Sequence, residues 1–290
     1  MTMLYRFRYL FSLCASALLS VGAAQAQLVP HVNFKSGSKH YQQRTAQFER
    51  QMPVDSSMVV MLGDSHTEGG GDWNLLLGTG NVVNRGINGD HALGIEARLC
   101  QVLPGQPKAV FLLCGANDLS FGLAAETVAA RICHLIDTIC ASAPHTRLVV
   151  QSLLPINESF GRWKTLKGRT DDIPVVNTII AGHCAALKVP FLNLFPLFTN
   201  GENNVLVREL CSDGLHLNHD GYAVWAEALQ PYIDWVNGVG DAGLFFNDIF
   251  QDEPPSPDAS APGTVSPDAG APGTLLPDTM PDDAVSPDAE

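Results

Sequence analysis

A serine stands directly after an apolar run in this chain, at a position that suits a nucleophile. Residues 58–62 read Met-Val-Val-Met-Leu, and Gly63, Asp64, Ser65 and His66 follow them, with three consecutive glycines shortly afterwards. A short run of this kind that ends in glycine-rich sequence predicts a strand, a tight turn and the start of a helix. Ser65 would then lie at the carboxyl end of a strand, where ligands bind in open α/β sheets. Taken alone, Asp64 and Ser65 also suit an ordinary turn and helix cap.

His216 is the candidate base for Ser65. A serine hydroxyl is a poor nucleophile near neutral pH, so it needs a base within hydrogen-bond reach and a third group that orients the base. Asp213 stands three residues before His216, and side chains at that separation in a helical turn are neighbours. The Asp213 carboxylate can then accept a hydrogen bond from one imidazole nitrogen while the other nitrogen faces Ser65. Asp213 equally suits a cap for a helix that begins near Asn218, and both interpretations stay open.

Polar residues follow apolar segments in three more places, which form four ordered blocks together with residues 63–65. The three further blocks are residues 84–90 (Asn-Arg-Gly-Ile-Asn-Gly-Asp), residues 114–118 (Cys-Gly-Ala-Asn-Asp) and residues 213–216 (Asp-Gly-Leu-His). In order and spacing the blocks resemble the SGNH (GDSL) hydrolase family over about residues 55–236. Within that family, the chain is most similar to bacterial secreted esterases related to the platelet-activating-factor acetylhydrolase subunits. Nothing matches the GxSxG turn of the other large serine esterase fold.

The resemblance implies an acyl-transfer site built from these blocks. It assigns a catalytic triad to Ser65, His216 and Asp213. It assigns an oxyanion hole to the backbone N–H of Ser65, the backbone N–H of Gly89 and the side-chain amide of Asn117, and such donors contribute roughly 3 to 4 kcal/mol each in an enclosed site. Because glycine lacks a Cβ, the backbone at Gly89 can approach a ligand closely. On their own, Gly89 and Asn117 are also common turn residues.

Two acids and two histidines between residues 213 and 220 raise the alternative of a metal site. Catalytic zinc usually takes three protein ligands with supporting groups, and no other His or Cys cluster in the sequence has that spacing. His219 and Asp220 open a periodic helix, where an acid is favoured by capping and by the helix dipole. We therefore predict no metal and no cofactor.

Other polar residues near the blocks have simpler interpretations. Asp90 and Asp118 each follow a residue of the implied oxyanion hole, and we expect them to be local turn or cap acceptors. The remaining histidines, which include His66 and His91, show no pattern and are predicted to be surface or helix residues.

The amino-terminal residues indicate export. Residues 1–26 contain two arginines, then an apolar stretch over about residues 9–21, and end in Ala-Gln-Ala, a pattern typical of a signal peptide cleaved after Ala26. The apolar stretch is shorter than the roughly 20 residues that a spanning helix needs, so we expect no stable membrane insertion after cleavage. The prediction is a periplasmic or secreted protein with an N-terminal extension at residues 27–54 and a hydrolase domain at residues 55–250.

The carboxyl-terminal residues 251–290 form a repeat. The sequence Ser-Pro-Asp-Ala begins at Ser256, Ser266 and Ser286, and the segment contains no Lys, Arg or aromatic residue. Such a composition cannot bury enough apolar surface to fold, which predicts a disordered acidic tail. Nine of the 30 acidic residues lie there, leaving 21 acidic against 15 basic residues between Gln27 and Phe250. This balance gives no support to a nucleic-acid partner.

Six cysteines follow the predicted signal peptide, and their redox state stays open. An even number in an exported protein permits disulfides, with 15 full connectivities. Cys133 and Cys140 lie two turns apart on one predicted helix, which is too far for them to pair with each other. Free buried thiols are the other interpretation.

Apolar strand patterns alternate with helical ones along the predicted domain. Strands are predicted at residues 58–62, 81–84, 109–114, 147–153 and 190–194, and helices near residues 72–78, 91–102, 124–141, 174–188 and 219–236. This alternation predicts an α/β fold with a five-stranded parallel sheet covered on both faces. The resemblance implies the flavodoxin-like three-layer α/β/α sandwich.

A loop at residues 157–172 is long for a connection between a strand and a helix. It holds Arg162, Trp163 and Lys164, with two more cations close behind. The loop should emerge at the same edge as Ser65, where a sugar ring could stack on Trp163 and an anionic group could bind Arg162 and Lys164. A solvated loop without a binding role is the alternative.

The function predicted from the sequence is a secreted serine esterase that removes short acyl groups, acetyl above all, from a carbohydrate or another small ester. The cationic loop at residues 157–172 favours acidic acylated glycans as substrates. One alternative is a lysophospholipase or thioesterase that acts on lipid esters. Another is a non-catalytic carbohydrate-binding or surface protein on the same fold. The oligomeric state does not follow from the sequence.

Overall fold

Five short strands pair side by side in the computed structural model, which describes residues 38–51, 53–201 and 203–239. The strands are β1 (Val59–Gly63), β2 (Val82–Gly86), β3 (Ala109–Leu113), β4 (Arg147–Gln151) and β5 (Phe191–Leu192). All neighbouring pairs are parallel, and their order in the sheet is β2-β1-β3-β4-β5. This is the flavodoxin-like order, so the predicted five-stranded parallel sheet is confirmed.

Eight α-helices accompany the strands over the described residues. They are α1 (Lys39–Arg50), α2 (Ser65–Gly69), α3 (Trp73–Leu77), α4 (Ala92–Ala97), α5 (Ala116–Ser120), α6 (Ala125–Ser142), α7 (Asp172–Leu187) and α8 (His219–Val236). Short 3-10 turns lie at Leu99–Gln101, Leu103–Gly105, Glu158–Phe160, Lys164–Leu166, Phe195–Phe198 and Arg208–Leu210.

The two faces of the sheet bury alternate residues of the same strand. Val60 and Leu62 of β1 belong to a core shared with α4, α6 and α7, whereas Val59 and Met61 belong to a second core shared with α3 and α8. Every residue of β1 and β3 is buried, as expected for strands that are covered by helices on both sides. The three-layer α/β/α arrangement is therefore confirmed.

Several boundaries differ from the sequence expectations. The helix predicted near residues 91–102 ends at Ala97 and gives way to two 3-10 turns. The second turn contains Pro104, which has no N–H and so cannot continue an α-helix there. β4 ends at Gln151 rather than at residue 153, and β5 comprises two residues rather than five. The helix α1, with its N-cap Ser38 accepting from the Tyr41 N–H at 3.1 Å, was not predicted.

Other features bear on the remaining predictions. The six cysteines between Cys100 and Cys211 are free thiols. Among the described residues, none of the helices combines the length and apolar character of a membrane span. The predicted signal peptide at residues 1–26 and the predicted tail at residues 251–290 lie outside the described residues.

Candidate active site

The ends of three neighbouring strands bring the sequence blocks to one edge of the sheet. Gly63 of β1 pairs in register with Gly86 of β2 and with Leu113 of β3, so these strands end level with one another. The block at residues 63–66, the block that contains Gly89 and the block that contains Asn117 therefore all leave the sheet at the same edge.

Ser65 is the first residue of α2, immediately after β1. Asp64 is the N-cap of this helix, and its Oδ1 accepts a hydrogen bond from the His66 N–H at 3.0 Å. Gly63 is required here because a Cβ would lie 2.3 Å from the Leu113 carbonyl oxygen and equally close to the Thr67 hydroxyl. A buried strand, a tight turn and a capped helix thus hold Ser65 at the strand end.

Ser65, His216 and Asp213 form a continuous hydrogen-bonded line. The Ser65 Oγ lies 2.9 Å from His216 Nε2, and His216 Nδ1 lies 2.9 Å from Asp213 Oδ2. The alternative that Asp213 caps the last helix is wrong, because the N-cap of α8 is Asn218, whose side chain accepts from the Gly221 N–H at 3.0 Å.

Asp213 is held as a carboxylate. Partial burial would raise its pKa, but hydrogen bonds from the His216 side chain and from the backbone N–H groups of His216 and Leu215 outweigh burial and lower the pKa to about 2. The two backbone contacts measure 2.8 and 3.0 Å and both reach Oδ1, which leaves Oδ2 for the imidazole. An acid ionised at neutral pH in this position can stabilise a protonated imidazole.

The turn that carries His216 depends on a glycine. Gly214 has a φ of +87°, and a Cβ there would meet the Asn157 carbonyl oxygen at 2.4 Å. The Asn157 N–H in turn donates to the Gly214 carbonyl at 2.7 Å. The base is therefore tied to the beginning of the long loop that follows β4.

The two further residues of the implied oxyanion hole flank Ser65. Gly89 has a φ of +80°, with no other atom within 4 Å of the place a Cβ would take, so the space before its backbone is open. Asn117 lies in the first turn of α5, and its side-chain N–H donates to the Asp90 carbonyl at 2.8 Å. That bond leaves the second amide hydrogen of Asn117 for another acceptor.

Asp90 is the local acceptor that the sequence predicted, and it also makes a longer-range contact. Asp90 does accept from the His91 N–H, but its carboxylate also forms a buried ion pair with Arg98 at 2.8 Å. Arg98 donates a second bond to the Gly63 carbonyl at 3.0 Å. Burial raises the pKa of Asp90, although the guanidinium opposes that shift. Arg98 thus connects the Gly89 loop with the strand end that precedes Ser65.

The prediction of a local acceptor is wrong for Asp118, because its carboxylate contacts residues of two other helices, α4 and α6. Its Oδ2 accepts from the Ala92 N–H at 3.0 Å, and its Oδ1 lies 3.3 Å from the Arg131 guanidinium. Burial raises the pKa of Asp118 to about 6, against the opposing effects of the Ala92 N–H and Arg131. The contact joins α5, which carries Asn117, to the start of α4.

His66 is a functional candidate that the sequence analysis missed. It is 2 % exposed, its Nε2–H donates to the Leu215 carbonyl at 2.9 Å, and its Nδ1 lies 3.3 Å from Asp64 Oδ1. Burial would lower its pKa, but Asp64 and the Leu215 carbonyl outweigh burial and raise it. His66 thereby links the helix of Ser65 to the residue before His216. The sequence did contain a signal: residues 63–66 read Gly-Asp-Ser-His, whereas the GDSL motif has leucine at the fourth position.

A cavity of about 370 Å³ lies next to Trp163, a residue that also contacts His216. The Trp163 ring stands edge-on to the His216 ring, with centroids 5.1 Å apart. The cavity is lined by Ile156, Asn157, Glu158, Gly161, Trp163, Lys164, Leu166, Lys167 and Gly214. Of the three loop residues predicted to bind substrate, Trp163 and Lys164 line this cavity and Arg162 does not.

The cluster considered for a metal is dispersed. The His219 side chain is almost fully exposed, and its nearest acid is Asp220 at 3.4 Å. Within residues 38–51, 53–201 and 203–239, no group of three or more His, Cys, Asp or Glu residues is arranged to hold a metal ion.

Comparisons with known proteins identify the family and the fold. The model of the GDSL-like Lipase/Acylhydrolase family matches residues 61–224. A search of the curated proteins finds no significant match.

Three solved structures show the same fold. A GDSL-like lipase from Bacteroides thetaiotaomicron is 22% identical with a TM-score of 0.60, and the match covers 67% of this chain and 97% of that one. A protein from Streptococcus pneumoniae proposed to be a platelet activating factor is 23% identical with a TM-score of 0.59, covering 74% and 99%. A proposed acylhydrolase from Bacteroides fragilis is 22% identical with a TM-score of 0.59, covering 68% and 95%.

Proposed function

The chain belongs to the GDSL-like lipase/acylhydrolase family and is a GDSL-type esterase, and from that premise we propose that Ser65, His216 and Asp213 are its catalytic triad. The observation that carries this proposal is the pair of 2.9 Å contacts from Ser65 to His216 and from His216 to Asp213. A nucleophile, a base and an orienting acid in this line are what acyl transfer through a serine requires.

The reaction follows from the placement of these groups. Ser65 Oγ attacks the ester carbonyl carbon while His216 Nε2 takes the hydroxyl proton, and Asp213 stabilises the imidazolium that results. His216 then gives this proton to the departing alkoxide, which leaves as the alcohol. Water attacks the acyl-serine with His216 again acting as the base, and the acid product and free Ser65 are released.

The negative charge that develops on the ester carbonyl oxygen must be stabilised by hydrogen-bond donors. We assign these to the backbone N–H groups of Ser65 and Gly89 and to the side chain of Asn117, which all follow carboxyl ends of neighbouring strands. Each such donor is worth about 3 to 4 kcal/mol to the transition state when it is fixed in advance. The buried Asp90–Arg98 pair helps to hold the Gly89 backbone N–H in place, because Arg98 also hydrogen-bonds the Gly63 carbonyl.

The substrate that we propose is a short-chain ester, acetyl above all, on a carbohydrate. Trp163 is 39 % exposed next to His216, and an aromatic face in that position suits stacking against a sugar ring. The sequence pattern of residues 1–26 supports export, so we propose that the enzyme acts in the periplasm or outside the cell.

A chain-length series tests this function. We expect purified protein to hydrolyse 4-nitrophenyl acetate with a higher kcat/KM than the butyrate, octanoate and decanoate esters. Ser65→Ala should lower kcat by roughly 10⁴-fold or more, with an unchanged circular dichroism spectrum. A maximum at the longest chains would favour the lipid-ester alternative. Equal rates for Ser65→Ala and wild type would contradict the triad.

A further inference from the structure

The cavity lined by Trp163 and Gly214 lies close to the proposed base, on the side from which an alcohol half of the ester would leave. In acyl transfer the imidazole delivers its proton to the leaving oxygen, so that oxygen must come within hydrogen-bond reach of His216. Trp163 contacts the His216 ring, and Gly214, one residue after Asp213, forms another part of the cavity wall. A group attached to the leaving oxygen can therefore reach Trp163 and, past it, the cavity that Trp163 lines.

The charges on the cavity wall are unbalanced. Lys164 and Lys167 both line it, both are exposed, and neither ammonium forms an ion pair with any described residue. Glu158 is the one acid among the lining residues, all of which are described. Its carboxylate accepts from Thr170 Oγ1 at 2.7 Å and from the Gly168 N–H at 2.8 Å, and these bonds lower its pKa. The wall is thus net positive.

The cavity wall is positive although the domain as a whole has a net negative charge. Between Gln27 and Phe250 the chain has 21 acidic and 15 basic residues. A local excess of the opposite sign in a concave site raises the local concentration of ligands with the complementary charge. The cavity lining suits a ring that carries a carboxylate. It offers two ammonium groups for the carboxylate, and one aromatic face and the Leu166 side chain for the ring.

The cavity wall is already fixed in the free protein. Glu158 joins the start of the loop to Gly168 and Thr170, and Thr165 hydrogen-bonds Ser120 of α5 at 2.7 Å. Asn157 donates from its side chain to the Leu206 carbonyl at 2.8 Å. Because the loop is already ordered, no binding free energy is lost in ordering it when a ligand binds.

From these observations we propose that the cavity is a subsite for an anionic alcohol half, and that the preferred substrates are acylated sugars bearing a carboxylate close to the ester. This inference rests on the proposed function and extends it to a substrate class. It also replaces Arg162 with Lys167 as the partner of Lys164, because Lys167 lines the cavity and Arg162 does not.

A matched pair of esters tests the proposal. The probes are mono-O-acetylated methyl glucuronoside and the corresponding methyl glucoside, which differ only in a carboxylate against a hydroxymethyl group, and released acetate is measured. We expect kcat/KM to be about three- to tenfold higher for the glucuronoside, chiefly through KM, as two partly exposed charge contacts would give. We expect the ratio to approach one as salt rises to about 0.5 M.

Two variants separate local from general electrostatics. Lys164→Gln combined with Lys167→Gln should reduce the glucuronoside-to-glucoside ratio to below about twofold. Lys188→Asn is the control, because it removes an exposed cation at the end of α7, before β5 and hence at the opposite edge of the sheet. Asn tolerates the left-handed backbone of this position, where φ is +56°. The ratio should stay at its wild-type value.

The possible failures are distinguishable. Acetate release from both sugars at equal kcat/KM would overturn the anionic subsite and leave the esterase function standing. The same holds if the double variant and Lys188→Asn lower the ratio equally. If neither sugar nor 4-nitrophenyl acetate is hydrolysed, the proposed function falls, and this inference falls with it.

Discussion

Two polar regions border Ser65, and they differ in how their charges are compensated. The first, which we term the buried scaffold, consists of Asp64, His66, Asp90, Arg98, Asp118 and Arg131, all no more than 3 % exposed. The second is the loop at residues 157–170, whose cavity-facing ammonium groups at Lys164 and Lys167 are exposed and have no acidic partner among the described residues.

This difference separates catalysis from specificity. A buried charge is costly unless it is paired and hydrogen-bonded, so each pair in the scaffold fixes the distance between the elements that carry it. An exposed charge can change with little effect on folding. The scaffold therefore fixes the elements around Ser65, while the loop can vary without loss of the fold and, in our proposal, selects the substrate.

The largest expected effect comes from the proposed triad, which the scaffold borders. His216→Ala should lower kcat by about 10⁴- to 10⁶-fold, because it removes the proton acceptor for Ser65. Asp213→Asn should lower it by about 10²- to 10⁴-fold, since an imidazole without its carboxylate remains able to accept a proton. Steady-state kinetics on 4-nitrophenyl acetate measures both losses. Small, equal losses would contradict the pairing.

Breaking one scaffold pair should cost stability as well as activity. Arg98→Ala leaves the Asp90 carboxylate buried without its partner, which typically lowers the free energy of unfolding by about 3 to 5 kcal/mol. Arg162→Ala in the exposed loop should lower it by less than about 0.5 kcal/mol. Urea denaturation followed by circular dichroism gives both values.

A conservative variant keeps this comparison usable if Arg98→Ala does not fold. Arg98→Lys retains a cation beside Asp90 but lacks the forked donors that also reach the Gly63 carbonyl. We expect a smaller loss of stability and a fall in kcat with little change in KM. Equal stability losses at positions 98 and 162 would remove the distinction between the two regions.

His66 should have a smaller effect that acts on the base loop. His66→Leu removes the donor to the Leu215 carbonyl and should lower kcat by about 10- to 100-fold with KM nearly unchanged. His66→Gln retains an amide donor and should recover part of that loss. If the leucine variant matches wild type in kcat, His66 does not position His216.

The same residue predicts a pH dependence of stability. Because folding raises the pKa of His66, its stabilising contribution is fully present below its unfolded pKa of about 6.5 and is lost as the pH rises through the folded value. The difference in unfolding free energy between wild type and His66→Gln should therefore shrink as the pH rises from 6 to 9. A difference that stays constant or grows would contradict the protonated pair with Asp64.

The smallest expected effect is that of chelation. The roles in the proposed reaction are filled by side chains and backbone donors, so dialysis against EDTA should leave kcat within about twofold of its starting value. The measurement is 4-nitrophenyl acetate hydrolysis before and after dialysis, with zinc added back. Loss of activity that zinc restores would assign a metal to the cluster around His216 and His219.

The sequence predicted what local patterns determine. Apolar runs and glycine-rich ends located all five strands, and four ordered blocks gave the family and the residues that the structure brings to one sheet edge. Strand ends were less predictable, as the two-residue β5 illustrates, because pairing with β4 and not local composition decides where a strand stops.

The buried scaffold was not predictable because its contacts join distant parts of the chain. His66 meets Leu215 across 149 residues, and Asp118 meets Ala92 across 26. The spacing of apolar residues along the sequence does not reveal such distant pairs, and each acid taken alone resembles a turn or cap residue. In the loop, the cations were visible in the sequence, but which of them face the cavity depends on the turn around Leu166.

Active-site labelling tests the central claim most directly. A fluorophosphonate probe reacts with a serine hydroxyl only when a neighbouring base activates it, and peptide mass spectrometry identifies the modified residue. We predict stoichiometric labelling at Ser65 in the wild type, loss of labelling in His216→Ala, and retained labelling in the Lys164→Gln, Lys167→Gln double variant. Labelling at another serine, or labelling of Ser65 that survives His216→Ala, would contradict the proposed triad.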